Sequence, residues 1–247
     1  MRDKRRLDLV LVERGLAESR TRAQALVMAG LVFSGERRLD KAGETIAIDL
    51  PLEVRGREHP WVSRGGVKLA FALDHFAIDP TGLVSLDVGA STGGFTDVLL
   101  TRGAARVYAV DVGFGQLAWK LRGESRVVVL ERLNARELSS AHVPEPIDLV
   151  VCDVSFISLT IALPAALALA APGARLLALI KPQFEAGRGQ VGKGGIVRDP
   201  AVHRGVCEKI AGWLADRPSW HVKGIIDSPV TGADGNIEYL IAAVREA

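Results

Sequence analysis

The chain has 247 residues, 48% hydrophobic and 5% aromatic, with 31 Lys+Arg against 29 Asp+Glu for a formal net charge of +2. That length fits one large domain or a catalytic domain with a small module, and the near balance leaves local rather than overall charge to announce a nucleic-acid partner. The two cysteines, Cys152 and Cys207, exclude a disulfide framework and a metal site of ordinary spacing, so reduced, buried thiols and no metal are expected. The charged N-terminus lacks a signal-peptide core, and Pro164, Pro172, Gly173 and Arg175 interrupt the apolar stretch 161–180 short of a membrane span. A cytoplasmic protein without membrane contact is expected.

Residues 1–22 are locally basic, with Arg5, Arg6, Arg14, Arg20 and Arg22 among them. Two short helical patterns follow, 7–14 and 19–29, with Ser19 suited to the N-cap and Gly30 to the C-terminal end. Strands are expected at 31–34 and 45–48, with a turn at Gly35 between them. The apolar content of this region suits a satellite module. A charged, Pro- and Gly-containing stretch, 53–66, joins it to the rest, which places the boundary near Pro60.

From Val84 onward strand-like runs alternate with helical ones: strands 84–88, 106–111, 127–130, 148–153 and 175–180, with helices to Thr101, near 117–121, at 158–171 and at 200–215. Alternation of this kind implies a mostly parallel, doubly wound α/β sheet of Rossmann-like form. The last two strands, 220–226 and 237–244, have turn residues but no helix between them, and read as a hairpin that makes the last strand antiparallel.

The stretch Leu86-Asp87-Val88-Gly89-Ala90-Ser91-Thr92-Gly93-Gly94-Phe95-Thr96-Asp97 runs from strand through a glycine-rich turn into a helix. Gly89, Gly93 and Gly94 let backbone approach a ligand closely, but Ser91 stands where a dinucleotide fingerprint wants its second glycine. S-adenosylmethionine, which carries no phosphate, therefore fits better than a dinucleotide. Gly89, Ala90, Gly93, Gly94 and Phe95 are candidate pocket residues, while Ser91 and Thr92 serve equally well as helix caps. Asp87 suits the methionine amino group or a backbone amide. Asp111, ending the second strand, suits the ribose hydroxyls or the cap of the following turn. Leu133 and Asn134 are placed against the adenine, with a turn-forming role for Asn134 as the alternative.

Four ionisable residues stand in apolar or glycine-rich contexts, where a charge is costly without a purpose: Lys68, Asp153, Lys181 and Glu238. Asp153 and Lys181 each end an apolar strand, so both reach the sheet edge that carries the glycine turn. Lys68 opens a helix over 69–75, and Glu238 lies at the start of the last strand. The loop from Gly187 to Gly195 reads as a basic lid, with Arg188 and Lys193 on RNA phosphate, or as a plain surface connection.

Two resemblances gather these residues. Arg6-Leu7-Asp8, Gly15, Ser19-Arg20, Ala23, Gly30, Val32 and Gly35 resemble the S4 RNA-binding domain. Arg5, Arg6, Arg20 and Arg22 then form a phosphate-gripping face converging from two helices, and Asp8 a salt bridge that holds those helices together, with a purely structural pairing to Asp8 as the alternative for Arg20. The four ionisable residues resemble the Lys-Asp-Lys-Glu tetrad of FtsJ-fold ribose 2'-O-methyltransferases. The match extends to Trp61-Val62-Ser63-Arg64-Gly65-Gly66-Val67-Lys68-Leu69, Asp153-Val154-Ser155-Phe156-Ile157-Ser158 and Lys181-Pro182-Gln183-Phe184-Glu185-Ala186-Gly187. Over its whole length the chain resembles the TlyA family of RNA methyltransferases, which also carries the name haemolysin. One departure is His59-Pro60-Trp61-Val62, where family members often have Arg-x-Trp-Val.

The resemblance implies an S4-like domain over 1–59, a linker over 60–63 and a methyltransferase domain over 64–247. It also implies S-adenosylmethionine as methyl donor and a cytidine ribose of ribosomal RNA, in the ribosome or a subunit, as acceptor, with Arg64 among the RNA contacts and a monomer expected. Chemically, the enzyme must align a hydroxyl with the sulfonium methyl and help remove its proton. A neighbouring cation or desolvation brings a lysine toward neutrality, which assigns that task to Lys181, steered by Asp153, with Lys68 and Glu238 orienting the hydroxyl. Two other classes stay open: a pore-forming haemolysin, which needs an insertable element, and a catalytically silent RNA-binding protein.

Overall fold

The computed structural model describes residues 4–28, 30–55, 59–232 and 235–247. The N-terminal region forms a strand β1 (Lys4–Arg6), helices α1 (Leu7–Glu13) and α2 (Arg20–Met28), and short strands β2 (Val32–Ser34), β3 (Arg37–Arg38), β4 (Thr45–Ala47) and β5 (Glu53–Val54). β1 pairs antiparallel with β4, while β2 pairs with both β3 and β5. Leu7, Leu11, Ala23, Val27, Val32, Leu39 and Ile46 close a small core of their own. Ser19 Oγ accepts from Arg22 N at 3.1 Å, as its N-cap position leads one to expect. The strand β1 corrects the sequence reading, because Arg5 and Arg6 lie on it and not on a helix. A three-residue strand of three charges shows no alternation that could announce it.

The larger region carries a seven-stranded sheet. Its strands are β6 (Val84–Val88), β7 (Arg106–Asp111), β8 (Val127–Glu131), β9 (Ile147–Cys152), β10 (Ala170–Ile180), β11 (Trp220–Asp227) and β12 (Tyr239–Arg245). They are ordered β11-β12-β10-β9-β6-β7-β8, parallel except that β12 runs antiparallel to both of its neighbours. The last strand is thus inserted between β10 and the edge strand β11. Leu176 to Ile180 are buried throughout, as a strand covered on both faces must be.

Val150, Cys152, Leu176, Ala178 and Ile180 belong to the core shared with helices α6 (Leu159–Ala168) and α7 (Pro200–Ala215). Leu149, Val151, Leu177 and Leu179 face the core shared with α3 (Gly65–His75), α4 (Gly94–Thr101) and α5 (Trp119–Arg122). Helix α6 ends sooner than its apolar sequence suggests. Ala170 already pairs with Ile147, and a register shift follows before Arg175. Both cysteines are free, and burial pushes the Cys207 thiol up to about 11 and Cys152 further.

The two regions touch directly. Gly15, at φ +65°, has no room for a side chain, because a Cβ there would lie 2.7 Å from the Ala118 Cβ. Ala118 in turn donates its N–H to Thr92 O in the glycine turn.

Candidate active site

Because β6, β9 and β10 are parallel neighbours, the residues just beyond their C-terminal ends share one edge, where open α/β sheets bind ligands. Gly89 follows β6, Asp153 follows β9 and Lys181 follows β10. Gly89 adopts φ +86°, and a Cβ there would stand 2.7 Å from the Asp153 carbonyl oxygen, so only glycine lets the two strand ends come this close.

The four ionisable residues come together as two pairs. Lys68 Nζ donates to Glu238 Oε2 at 2.5 Å, and the two side chains are only 9% and 3% exposed. Lys181 Nζ lies 2.6 Å from Asp153 Oδ1 and donates to Ser155 Oγ at 2.9 Å. Lys68 and Lys181, with Asp153, Ser63, Arg64 and Phe95, line a cavity of about 500 Å³. Ala90, Ser91, Thr92 and Gly94 of the glycine turn line it too. Glu238 stands behind Lys68, just before β12, where it also crowds Gly232.

A second cavity, about 520 Å³, adjoins the first across Gly89, Ser91, Asp153 and Ser155 and extends to Asp111, Leu133, Asn134 and Phe156. Asp111 accepts from Ser91 N at 2.8 Å through Oδ2 and from Gly113 N at 2.7 Å through Oδ1. Each oxygen keeps a further lone pair for a ligand hydroxyl. Asn134 accepts from Arg136 N and caps a short 3-10 turn at Ala135–Glu137, the turn-forming alternative of the sequence reading.

Asp87 is fully buried and lines neither cavity. Its Oδ2 accepts from Thr96 Oγ1 at 2.6 Å, while Oδ1 has no partner. Burial, with the charges of Asp153 and Asp111 added, raises its pKa to about 7 against the opposing Thr96 hydrogen bond. Gly93 departs from expectation. It too lines neither cavity, and a Cβ there would clash with Leu121 Cδ1 on α5, so this glycine admits α5 rather than a ligand.

Three features escaped the sequence reading. Ser155 holds Lys181, Phe156 projects at 90% exposure from a left-handed backbone with its ring 4.9 Å from Phe184, and Glu185 caps α6. Glu185 accepts from Ser158 Oγ at 2.6 Å and Leu159 N at 2.7 Å, and burial raises its pKa. Ser155 left a signal, two positions after Asp153, whereas the positive φ of Phe156, a mark of function in a bulky residue beside a site, is visible only in the structure.

In the N-terminal region Asp8 is buried and accepts from Arg6 Nε at 3.0 Å and Nη2 at 2.9 Å, Arg20 Nε at 2.9 Å and Gln24 Nε2 at 3.0 Å. The Arg6 guanidinium, then Gln24 and Arg20, hold its carboxyl well below the usual range against the opposing effect of burial. Asp8 thus orders the arginines, as the salt-bridge reading expected, and it ties a strand to both helices. Arg5 is engaged by Glu13 at 2.6 Å, and Arg22, Arg64 and Lys193 are exposed. The Arg188 side chain lies outside the described residues.

The family model for FtsJ-like methyltransferases matches residues 61–245 and that for the S4 domain matches 5–48. The chain belongs to the FtsJ-like methyltransferase family. It joins that domain to an S4 domain. TlyA of Mycobacterium tuberculosis, named as a 16S/23S rRNA (cytidine-2'-O)-methyltransferase, is 48% identical over 96% of this chain and 88% of its own length. YqxC of Bacillus subtilis, an rRNA methyltransferase by name, is 52% identical over 96% of this chain and 85% of its own. A Streptococcus thermophilus structure carrying the name hemolysin superposes with a TM-score of 0.77 at 42% identity, covering 100% of this chain and 90% of that one. Among the described residues no helix is long and apolar enough to cross a membrane, and no group of ligating side chains could hold a metal ion.

Proposed function

We propose that this FtsJ-like methyltransferase transfers a methyl group from S-adenosylmethionine to the 2'-hydroxyl of a cytidine in ribosomal RNA. The observation that carries the reading is the convergence of two lysine–carboxylate pairs on the cavity beside the glycine turn. The paired cavities meeting at Gly89 and Asp153, and the unpartnered buried oxygen of Asp87, fit that cofactor. Asp111 would hold its ribose and Leu133 and Asn134 would flank its adenine, while Asp87, buried behind the turn, would act on its cationic amino group through charge rather than by contact. When bound, it supplies an electrophilic methyl group.

The chain's own residues do the rest. Lys181 accepts the 2'-hydroxyl proton at Nζ as the new O–C bond forms. Asp153, 2.6 Å away, stabilises the ammonium this creates, and Ser155 fixes the side chain between turnovers. Lys68, held by Glu238, presents an ammonium to the acceptor oxygen and keeps it aligned. Phe156 offers an exposed ring against which an unstacked base can lie. Arg20, Arg22 and Arg64, with Lys193 of the loop, contact phosphates, and Arg6 serves mainly to fix Asp8. The test is transfer of labelled methyl to ribosomal RNA by wild type and Lys181→Ala. Transfer should collapse while calorimetric cofactor binding survives; undiminished turnover would refute the assignment.

A further inference from the structure

The cavity that holds Lys181 is not built by the methyltransferase domain alone. Glu18 and Ser19, from the turn that leads into α2 of the S4 domain, form part of its wall, with Arg64 beside them. The position of Glu18 is fixed from both sides. Ser19 caps α2, and Gly15, three residues earlier, packs on Ala118.

Glu18 differs in kind from the other carboxylates of the site. Asp153 faces Lys181 and Glu238 faces Lys68, whereas Glu18 has no hydrogen bond or ion pair among the described residues, and it is exposed. An unpaired anion at the mouth of a pocket for a polyanion repels the phosphates and weakens binding unless a donor group meets it. A cytosine base offers such a donor in its exocyclic amine, and uracil offers a carbonyl oxygen at the same place. A carboxylate accepts from the first and repels the second. Glu18 also lies on the wall formed by the other domain from Lys181. A nucleotide unstacked from its helix, with its ribose at Lys181, has a base to be read on a separate surface.

We propose that Glu18 is a specificity-determining residue that accepts a hydrogen bond from the amino group of the acceptor cytosine, so that the S4 domain reads the base while the methyltransferase domain acts on its sugar. This rests on the ribose-methylation reading above. Full-length protein is assayed with ribosomal RNA transcripts carrying C or U at the mapped acceptor position, comparing wild type, Glu18→Gln and Glu18→Ala. Wild type should favour C by roughly ten-fold or more in kcat/KM, the size of one base-edge mismatch. Glu18→Gln, whose amide both accepts and donates, should raise the rate on U and bring the ratio toward one. Glu18→Ala should lose rate on C and, with the repulsion gone, gain on U less than Glu18→Gln does, and calorimetric cofactor affinity should hold in both. An unchanged C-to-U ratio in both variants, or equal losses on both RNAs, would overturn the proposal and leave Glu18 a structural or phosphate-repelling residue. Absence of ribose methylation by wild type would instead refute the underlying reading.

Discussion

The two domains handle charge in opposite ways. Around the sheet edge, Lys68 meets Glu238 and Lys181 meets Asp153 one to one, with three of the four side chains less than an eighth exposed. In the S4 domain a single buried carboxylate, Asp8, gathers Arg6 and Arg20 while both arginines stay about half exposed. The first arrangement holds groups whose proton or orientation matters and keeps water from them. The second spends one buried anion on aiming cations outward, where a phosphate can complete their hydrogen bonds. Removing a partner should therefore cost chemistry and folding in one domain, and RNA affinity in the other.

The largest effect expected is on turnover. Lys181→Ala should lower methyl transfer by roughly 10²–10⁴-fold, the range for a lost general base, with cofactor affinity kept. Next comes Lys68→Ala, which leaves Glu238 buried without its cation. Thermal or urea unfolding of the full chain should show a loss of about 3–5 kcal/mol, and Lys68→Ala/Glu238→Gln should recover part of it. If Lys68→Ala unfolds like wild type, the pair is not structurally coupled. Asp8→Asn should cost about 2 kcal/mol in the S4 domain and weaken RNA binding, measured by filter retention, without changing cofactor affinity. Because arginines depress the Asp8 pKa, the stability it contributes is present at neutral pH. It is lost only as pH falls below the usual carboxylate range.

A smaller, pH-dependent effect belongs to Asp87. Its pKa is raised to about 7, so the stability it contributes to the cofactor-free protein is present at acid pH and lost as pH rises through that value. Asp87→Asn should thus stabilise the cofactor-free protein at pH 8 more than at pH 6. A cationic amino group favours the carboxylate, so cofactor affinity in wild type should fall below pH 7, toward ten-fold per unit. Calorimetry across pH 6–8 checks this, and a flat profile would separate Asp87 from the cofactor.

The comparison also explains what the sequence could disclose. Asp153 and Lys181 announced themselves because each ends an apolar strand, and parallel strands put their ends on one edge. The glycine turn was legible for the same local reason, and the hairpin of the last two strands from its turn residues. Insertion of β12 beside β10 was not, since nothing local tells an inserted strand from one added at the edge. Gly93 looked like a ligand-facing glycine because sequence gives spacing without direction; only the packed α5 shows where it faces. The Asp8 cluster joins residues 12 and 16 positions apart on separate elements, and Glu18 enters the cavity only through the docking of one domain on the other.

Methylation of a ribose in ribosomal RNA is the activity on which every residue role above depends. It is tested most directly by incubating isolated ribosomal subunits with the protein and labelled S-adenosylmethionine, then mapping the product by mass spectrometry of nuclease and nucleoside digests. The expected product is a 2'-O-methylcytidine that is absent with Lys181→Ala. A methyl on a base, or no methylated nucleoside from either subunit, would contradict it.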